Sequence, residues 1–164
     1  MTEAVPVTRV ELRRATLAEI FLSDELLRTC PLMRSLGPEE VERLLAGSVA
    51  RRFPAGAAIY REGDPGQAAF LVLRGDVRLS SEGGHVVFGM AHKGDLFGEA
   101  ELVTQRPARA SSATAVGDVD VVELPPPLLM ELGRGNPRLV TLVRETHLGR
   151  HAATQEIADF INRW

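Results

Sequence analysis

One stretch of the chain carries residue types that together can seize a small anion: Gly94-Asp95-Leu96-Phe97-Gly98-Glu99-Ala100-Glu101-Leu102-Val103-Thr104-Gln105-Arg106-Pro107-Ala108-Arg109-Ala110-Ser111-Ser112. Gly98 lets the main chain turn sharply and lets a ligand approach the backbone closely. The residues after it can run into a short helical turn with free N–H groups. Arg109 adds a planar, permanently charged fork suited to two phosphate oxygens, and Ala110 and Ser111 add further N–H donors and a hydroxyl. Glu99 would repel a bare phosphate but suits a neighbouring hydroxyl pair such as a ribose, which carboxylates take up in dinucleotide sites. A sugar phosphate satisfies both ends. The bland alternative is a turn glycine, a surface acid and a surface arginine that lie close together or form a simple ion pair. The ordered string between two β-type segments favours the binding site.

The order F-G-E-x-x-L, a short spacer, then R-A-S resembles the phosphate-binding cassette of the cyclic nucleotide-binding domain family. That family includes bacterial catabolite-activator-like regulators, cyclic-AMP-dependent kinase regulatory subunits and gated channels. The resemblance spans residues 28 to 160. It implies that Glu99 binds the ribose 2′-hydroxyl, that Gly98 and the backbone after it, Ala100 included, assist, and that Arg109 pairs with the cyclic phosphate beside Ala110 and Ser111. It also implies a last helix that lids the nucleotide, with Thr154 at the height of the base, and that pairs two protomers through residues 137–164. Phe97, with Val72, Val87 and Phe88, is placed to line the base pocket, although at strand spacing such residues are core by default.

The implied ligand is cyclic AMP rather than cyclic GMP, because Ala110 stands where a threonine hydroxyl meets guanine in the family. The chain is then a bacterial, cytoplasmic sensor that does no chemistry, needs no cofactor, holds no metal and signals to an unidentified downstream protein. It departs from the family at Glu101, where a small residue is usual, and at Ala100, where a leucine is common. A second carboxylate near the phosphate either weakens binding or points to solvent. Two rivals follow: a ligand-independent interaction or dimerisation module that keeps the fold, and a sensor of another anion such as a cyclic dinucleotide.

The totals agree with a single regulatory domain. The chain has 164 residues, 45% of them hydrophobic and 25% charged, enough for one core of ordinary composition. A net charge of −3 and a pI near 5.8 do not suggest a nucleic-acid-binding face. Catabolite-activator-like regulators continue into a helix-turn-helix domain, whereas this sequence stops at Trp164, so DNA binding by this chain is not expected. Cys30 is the sole cysteine, set among Leu26, Leu27 and Leu32, and reads as a packed core thiol. No signal-peptide core or membrane-length apolar run is visible, which fits a reducing cytoplasm. His147 and His151 share a helix face at metal-compatible spacing but lack a third ligand, and are read as solvated or dimer-seam residues. Arg106, Arg134, Arg138, Arg144 and Arg150 are read as solvated charges.

The elements that must position the cassette can be laid out in order. Residues 1–15 are an extension and residues 16–48 a helical segment. In that segment Thr16-Leu17-Ala18-Glu19 forms a capping box, Ser23 and Asp24 cap a short helix, and Gly37-Pro38-Glu39-Glu40 opens another that ends at Gly47. Residues 49–124 change to short β-type runs at 49–53, 58–61, 68–74, 76–81, 85–91, 111–116 and 118–124, with a tight hairpin at Gly83-Gly84. This spacing suits a sandwich or barrel of antiparallel strands, and the family resemblance implies which one: mainly β with flanking helices, an antiparallel jelly-roll barrel, or double-stranded β-helix, holding the cassette at 94–112. Residues 125–164 form the lid and dimerisation helices, with Pro125-Pro126-Pro127 breaking the last strand, a helix over 128–132, and Asn136-Pro137 opening a long helix.

Overall fold

The computed structural model describes residues 23–163, apart from the side chains of Asp24, Leu27, Glu82 and residues 151–162. The extension at 1–15, the helix start at Thr16 and the terminal Trp164 lie outside the described residues. Among the described residues three helices come first, α1 (Asp24–Thr29), α2 (Pro31–Arg34) and α3 (Pro38–Gly47). Ser23 caps α1 by accepting from the Leu26 N–H, and Glu40 reaches back to accept from the Gly37 N–H at 3.0 Å. The strands are β1 (Val49–Phe53), β2 (Ala58–Tyr60), β3 (Ala69–Arg74), β4 (Val77–Ser81), β5 (Val86–Ala91), β6 (Leu96–Phe97), β7 (Ser112–Ala115) and β8 (Val119–Leu124). One short helix, α4 (Ala100–Thr104), sits inside the cassette, and α5 (Pro126–Arg134) and α6 (Pro137–Asn162) follow the last strand.

The strands form two four-stranded antiparallel sheets, β1-β8-β3-β6 and β2-β7-β4-β5, the mostly antiparallel jelly roll with flanking helices that the sequence predicts. Strand β3 shows why two cores form. Residues point alternately to the two faces of a strand, and every residue of β3 except Arg74 is buried. Phe70 and Val72 face the second sheet and pack with Phe53, Leu79, Phe97 and Val121. Leu71 and Leu73 face the opposite way, into Leu26, Leu44, Val122, Leu132 and Leu139 beneath the helices. Cys30 belongs to this second cluster, and burial pushes its thiol pKa up, away from the reactive thiolate.

Two local expectations need correction. Gly83 and Gly84 both take positive φ, at 68° and 91°, but in a 3-10 turn. Ser81 pairs with Val86, so the hairpin connection spans residues 82–85 rather than two residues. The helix read at 128–132 begins two residues earlier, at Pro126, and runs to Arg134. A first helical turn has no internal use for its N–H groups, so Pro126 and Pro127 open this helix instead of excluding it. Strand β6 lies within the cassette and is pinned to β3 by the pairs Phe70↔Phe97 and Leu71↔Leu96.

Asn136 ties the long helix to the N-terminal ones. Its Oδ1 accepts from the Leu139 N–H at 3.1 Å, and its Nδ2 donates to the Ser35 carbonyl at 2.7 Å and to Glu40 at 3.0 Å. The residue read as a plain cap is also a tether between α6 and α3.

Candidate functional site

The cassette leaves β6 through Gly98, whose φ of 76° suits a residue without a side chain. A Cβ there would stand 3.1 Å from the Ala68 carbonyl oxygen and 3.1 Å from the Phe70 ring. The turn therefore requires glycine on both counts. Helix α4 follows at once, with Glu99 as its N-cap and Glu101 in its first turn reaching Arg109 and the Ala110 N–H. Gln105, with φ of 57°, ends it in a left-handed conformation.

The backbone at Arg109 is fixed from the other side. Its N–H donates to the Asp64 carbonyl and its carbonyl accepts from the Gly63 N–H, both at 2.8 Å, and Ala108 bridges to Pro65. This anchoring aims the guanidinium inward. Nη1 donates to the Gly98 carbonyl at 2.8 Å and to Glu101 Oε2 at 2.9 Å, while Nη2 donates to the Ala68 carbonyl at 2.6 Å. The guanidinium carbon lies 4.1 Å from the Tyr60 ring centroid. Burial pushes the Tyr60 phenol pKa far up despite this adjacent positive charge, so the ring stays neutral.

Glu101 completes the arrangement. Its Oε1 accepts from the Ala110 N–H at 2.9 Å while Oε2 takes Arg109, and its side chain is 2% exposed. The alternative that it points to solvent is corrected: it turns inward and holds the two donors that the family resemblance assigns to the phosphate. The fork of Arg109 is itself engaged by protein oxygens, those of Gly98, Glu101 and Ala68.

A cleft of about 200 Å³ opens in front of this pair, lined by Gly98, Glu99, Ala100, Ala110 and Ser111 from the cassette and by Leu79 and Phe88 from the second sheet. Five of the residues assigned to the site thus share one wall. Phe97 does not join them. It is fully buried between the sheets and stacks on Phe70 at 5.2 Å between centroids, because in a strand that turns Leu96 toward the helices its neighbour must face the opposite core. Phe88 takes the wall position, Val72 is core, and Val87 is exposed.

The long helix closes the cleft with His147 and Arg150. Arg150 Nη1 donates to Glu99 Oε2 at 2.8 Å and its Nη2 donates to the Leu96 carbonyl at 2.6 Å. Read from the sequence as a solvated charge, Arg150 is instead a member of the site. The signal was faint, because the pairing spans 51 positions and depends on the rotational phase of α6 against the cassette. Thr154 lies in α6, with its side chain outside the described residues, as does that of His151. Among the described residues no group of His, Cys, Asp and Glu could hold a metal ion, and no helix is long and apolar enough to cross a membrane.

A glycine turn, a carboxylate residue at the N-cap of a short helix, and an arginine-alanine-serine segment leading into the returning strand match the pattern of one family's cassette. The family model for the cyclic nucleotide-binding domain matches residues 50–136. The chain belongs to the cyclic nucleotide-binding domain family. This domain is 33% identical over 120 residues to the cAMP-dependent protein kinase regulatory subunit of Emericella nidulans, covering 71% of the chain and 29% of that protein. It is 37% identical over 101 residues to the Cyclic AMP receptor protein of Thermus thermophilus, covering 60% of the chain and 46% of that protein. The crystal structure of Thermus thermophilus Catabolite Activator Protein superposes with a TM-score of 0.66 at 32% identity, covering 80% of the domain and 63% of that chain. The domain spans less than half the length of these two curated relatives, which are regulators. It is a cyclic nucleotide-binding regulatory domain homologous to them.

Proposed function

We propose that this domain senses a cyclic purine mononucleotide, cyclic AMP in preference to cyclic GMP, and relays its binding through α6 to a downstream protein without altering the ligand. The observation that carries the reading is the contact of Arg150 with both Glu99 and the Leu96 carbonyl. The output helix is held by the carboxylate that a ribose would engage. A ribose hydroxyl donating to Glu99 shares or displaces the arginine, and that difference between liganded and free states is what can shift the helix. Gly98, Glu99, Ala100, Ala110 and Ser111 line the sugar-phosphate end, and Leu79 and Phe88 offer apolar surface to a base. Thr154 remains assigned to the base by the family resemblance, as does the preference for adenine from Ala110.

The remaining assignments belong to the same proposal. The domain works in the cytoplasm of a bacterium, needs neither cofactor nor metal, and forms a homodimer through residues 137–164. The names of the matched relatives, a kinase regulatory subunit and a cyclic AMP receptor, support the ligand class. The lone buried Cys30 supports a reducing compartment.

The second reading is a ligand-independent interaction module. The Glu101–Arg109 pair favours it, because the anion seat is already filled by the protein. Titration calorimetry of the empty, folded protein with cyclic AMP and cyclic GMP decides between them. Saturable heat, stronger for cyclic AMP, accompanied by a rise in melting temperature, is expected. No heat and no thermal shift with either nucleotide overturns the sensor reading and leaves the interaction module.

A further inference from the structure

We infer that Glu101 is a tethered phosphate surrogate: its carboxylate occupies the anion seat formed by Arg109 and the Ala110 N–H, so that a cyclic phosphate enters only as Glu101 leaves. This rests on the proposed sensor function and names the residue that sets its affinity.

The geometry supports substitution rather than mere proximity. A carboxylate presents two oxygens to a guanidinium and an amide much as a phosphate presents two of its own. Each Glu101 oxygen serves one donor, Oε1 the Ala110 N–H and Oε2 Arg109 Nη1, both at 2.9 Å. Neither Glu101 nor Arg109 lines the cleft, while Ala100 and Ala110 on either side of them do. The seat therefore lies directly behind the cleft wall and is closed to it. The cleft volume of about 200 Å³ also falls below the roughly 300 Å³ at which small-molecule sites begin.

The pair is complete without a guest. Among the described residues no buried side-chain nitrogen or oxygen lacks a partner. Arg109 therefore gains little from a second anion and must exchange one for another. Glu101 competes from α4, eight positions away in the same chain, and a tethered group acts at an effective concentration of roughly millimolar or above. A free anion at micromolar level displaces it only if its sugar and base make enough additional contacts. Glu99, Leu79 and Phe88 are where those contacts lie, so the surrogate selects against bare anions and against ligands that reach the seat but not the cleft walls.

The test compares wild type with Glu101→Ala and Glu101→Gln, using sodium acetate, inorganic phosphate and cyclic AMP as probes. Glu101→Ala empties the seat, so its melting temperature falls and is raised again by acetate or phosphate beyond the effect of sodium chloride at matched ionic strength. Wild type shows no such excess, and adding Arg109→Ala to Glu101→Ala abolishes it. Cyclic AMP binds Glu101→Ala at least tenfold more tightly than wild type, with Glu101→Gln in between. If Glu101→Ala does not fold, Glu101→Gln carries both readouts, since its amide oxygen retains one acceptor. Anion rescue with no cyclic AMP binding by any of the proteins upholds the surrogate and removes the cyclic nucleotide ligand. Equal cyclic AMP affinity in wild type and variants, or no anion-specific rescue in either variant, overturns the surrogate.

Discussion

Glu101 and Arg109 meet at 2.9 Å with their side chains 2% and 3% exposed, so a carboxylate and a guanidinium neutralise one another inside the cassette. A buried pair of this kind adds little net stability, because its attraction mainly offsets the hydration both charges lost. Breaking it from one side is a different matter, since the other charge stays behind.

Arg109→Ala is accordingly expected to destabilise the domain by about 3–5 kcal/mol, the usual cost of stranding a buried charge. Chemical denaturation measures it. The double variant Arg109→Ala with Glu101→Ala should lose less than the sum of the two singles. Additive losses would mean that the two residues do not act as a pair.

Arg150→Ala removes the contacts of α6 with Glu99 and the Leu96 carbonyl. Charge-assisted hydrogen bonds are worth about 1.5–3 kcal/mol, discounted here because the arginine side chain is partly exposed. The expected result is faster amide exchange in α6 and around residues 96–100, with the sandwich core protected as before. Unchanged exchange in both segments would separate the helix from the cassette.

Asn136→Ala deletes the cap of α6 together with its bonds to Ser35 and Glu40. Loss of a cap alone costs about 1 kcal/mol, and the extra partners should carry this variant toward the upper end of the range, near 2 kcal/mol. Asn136→Ser restores the cap but not the tether and should recover only part of the loss. Full recovery would show that the tether contributes nothing.

His92 pairs with Asp76 at 2.6 Å on the surface, and this hydrogen bond raises the imidazole pKa above its ordinary 6.5. A raised histidine stabilises the folded state below its unfolded pKa and loses that contribution as pH climbs through the folded one. The effect is small because both groups are exposed. Melting temperatures of wild type and Asp76→Asn should therefore differ most below pH 6.5 and converge above the folded pKa. A difference that grows with rising pH would contradict this sign.

What the sequence made legible, and what it hid, follows from the range of the interactions involved. The string from Phe97 to Ser111 is local, and so are Ser23, Asn136 and Pro137 as helix starts, which is why their places in the fold could be anticipated. Glu101 was visible as an anomaly eight positions from Arg109, but spacing across a turn does not show whether its carboxylate faces the arginine or the solvent. Arg150 was hidden by distance along the chain and by the phase of a helix whose apolar pattern is weak in the middle. Phe97 was ambiguous because two buried layers share one strand, so burial alone could not say which core it enters. Three consecutive prolines concealed a helix start, since the same ring that ends a strand fits a first helical turn.

Strand β6 is two residues long and forms the open border of its sheet. Unclaimed main-chain groups along such a border invite another polypeptide to add itself there. The Leu96 carbonyl is one of these groups, and the guanidinium of Arg150 covers it. The residue that ties α6 to Glu99 thus also occupies an acceptor that an added strand would use. Any state in which α6 swings away leaves that border bare, and the brevity of β6 limits how much of a template it can offer.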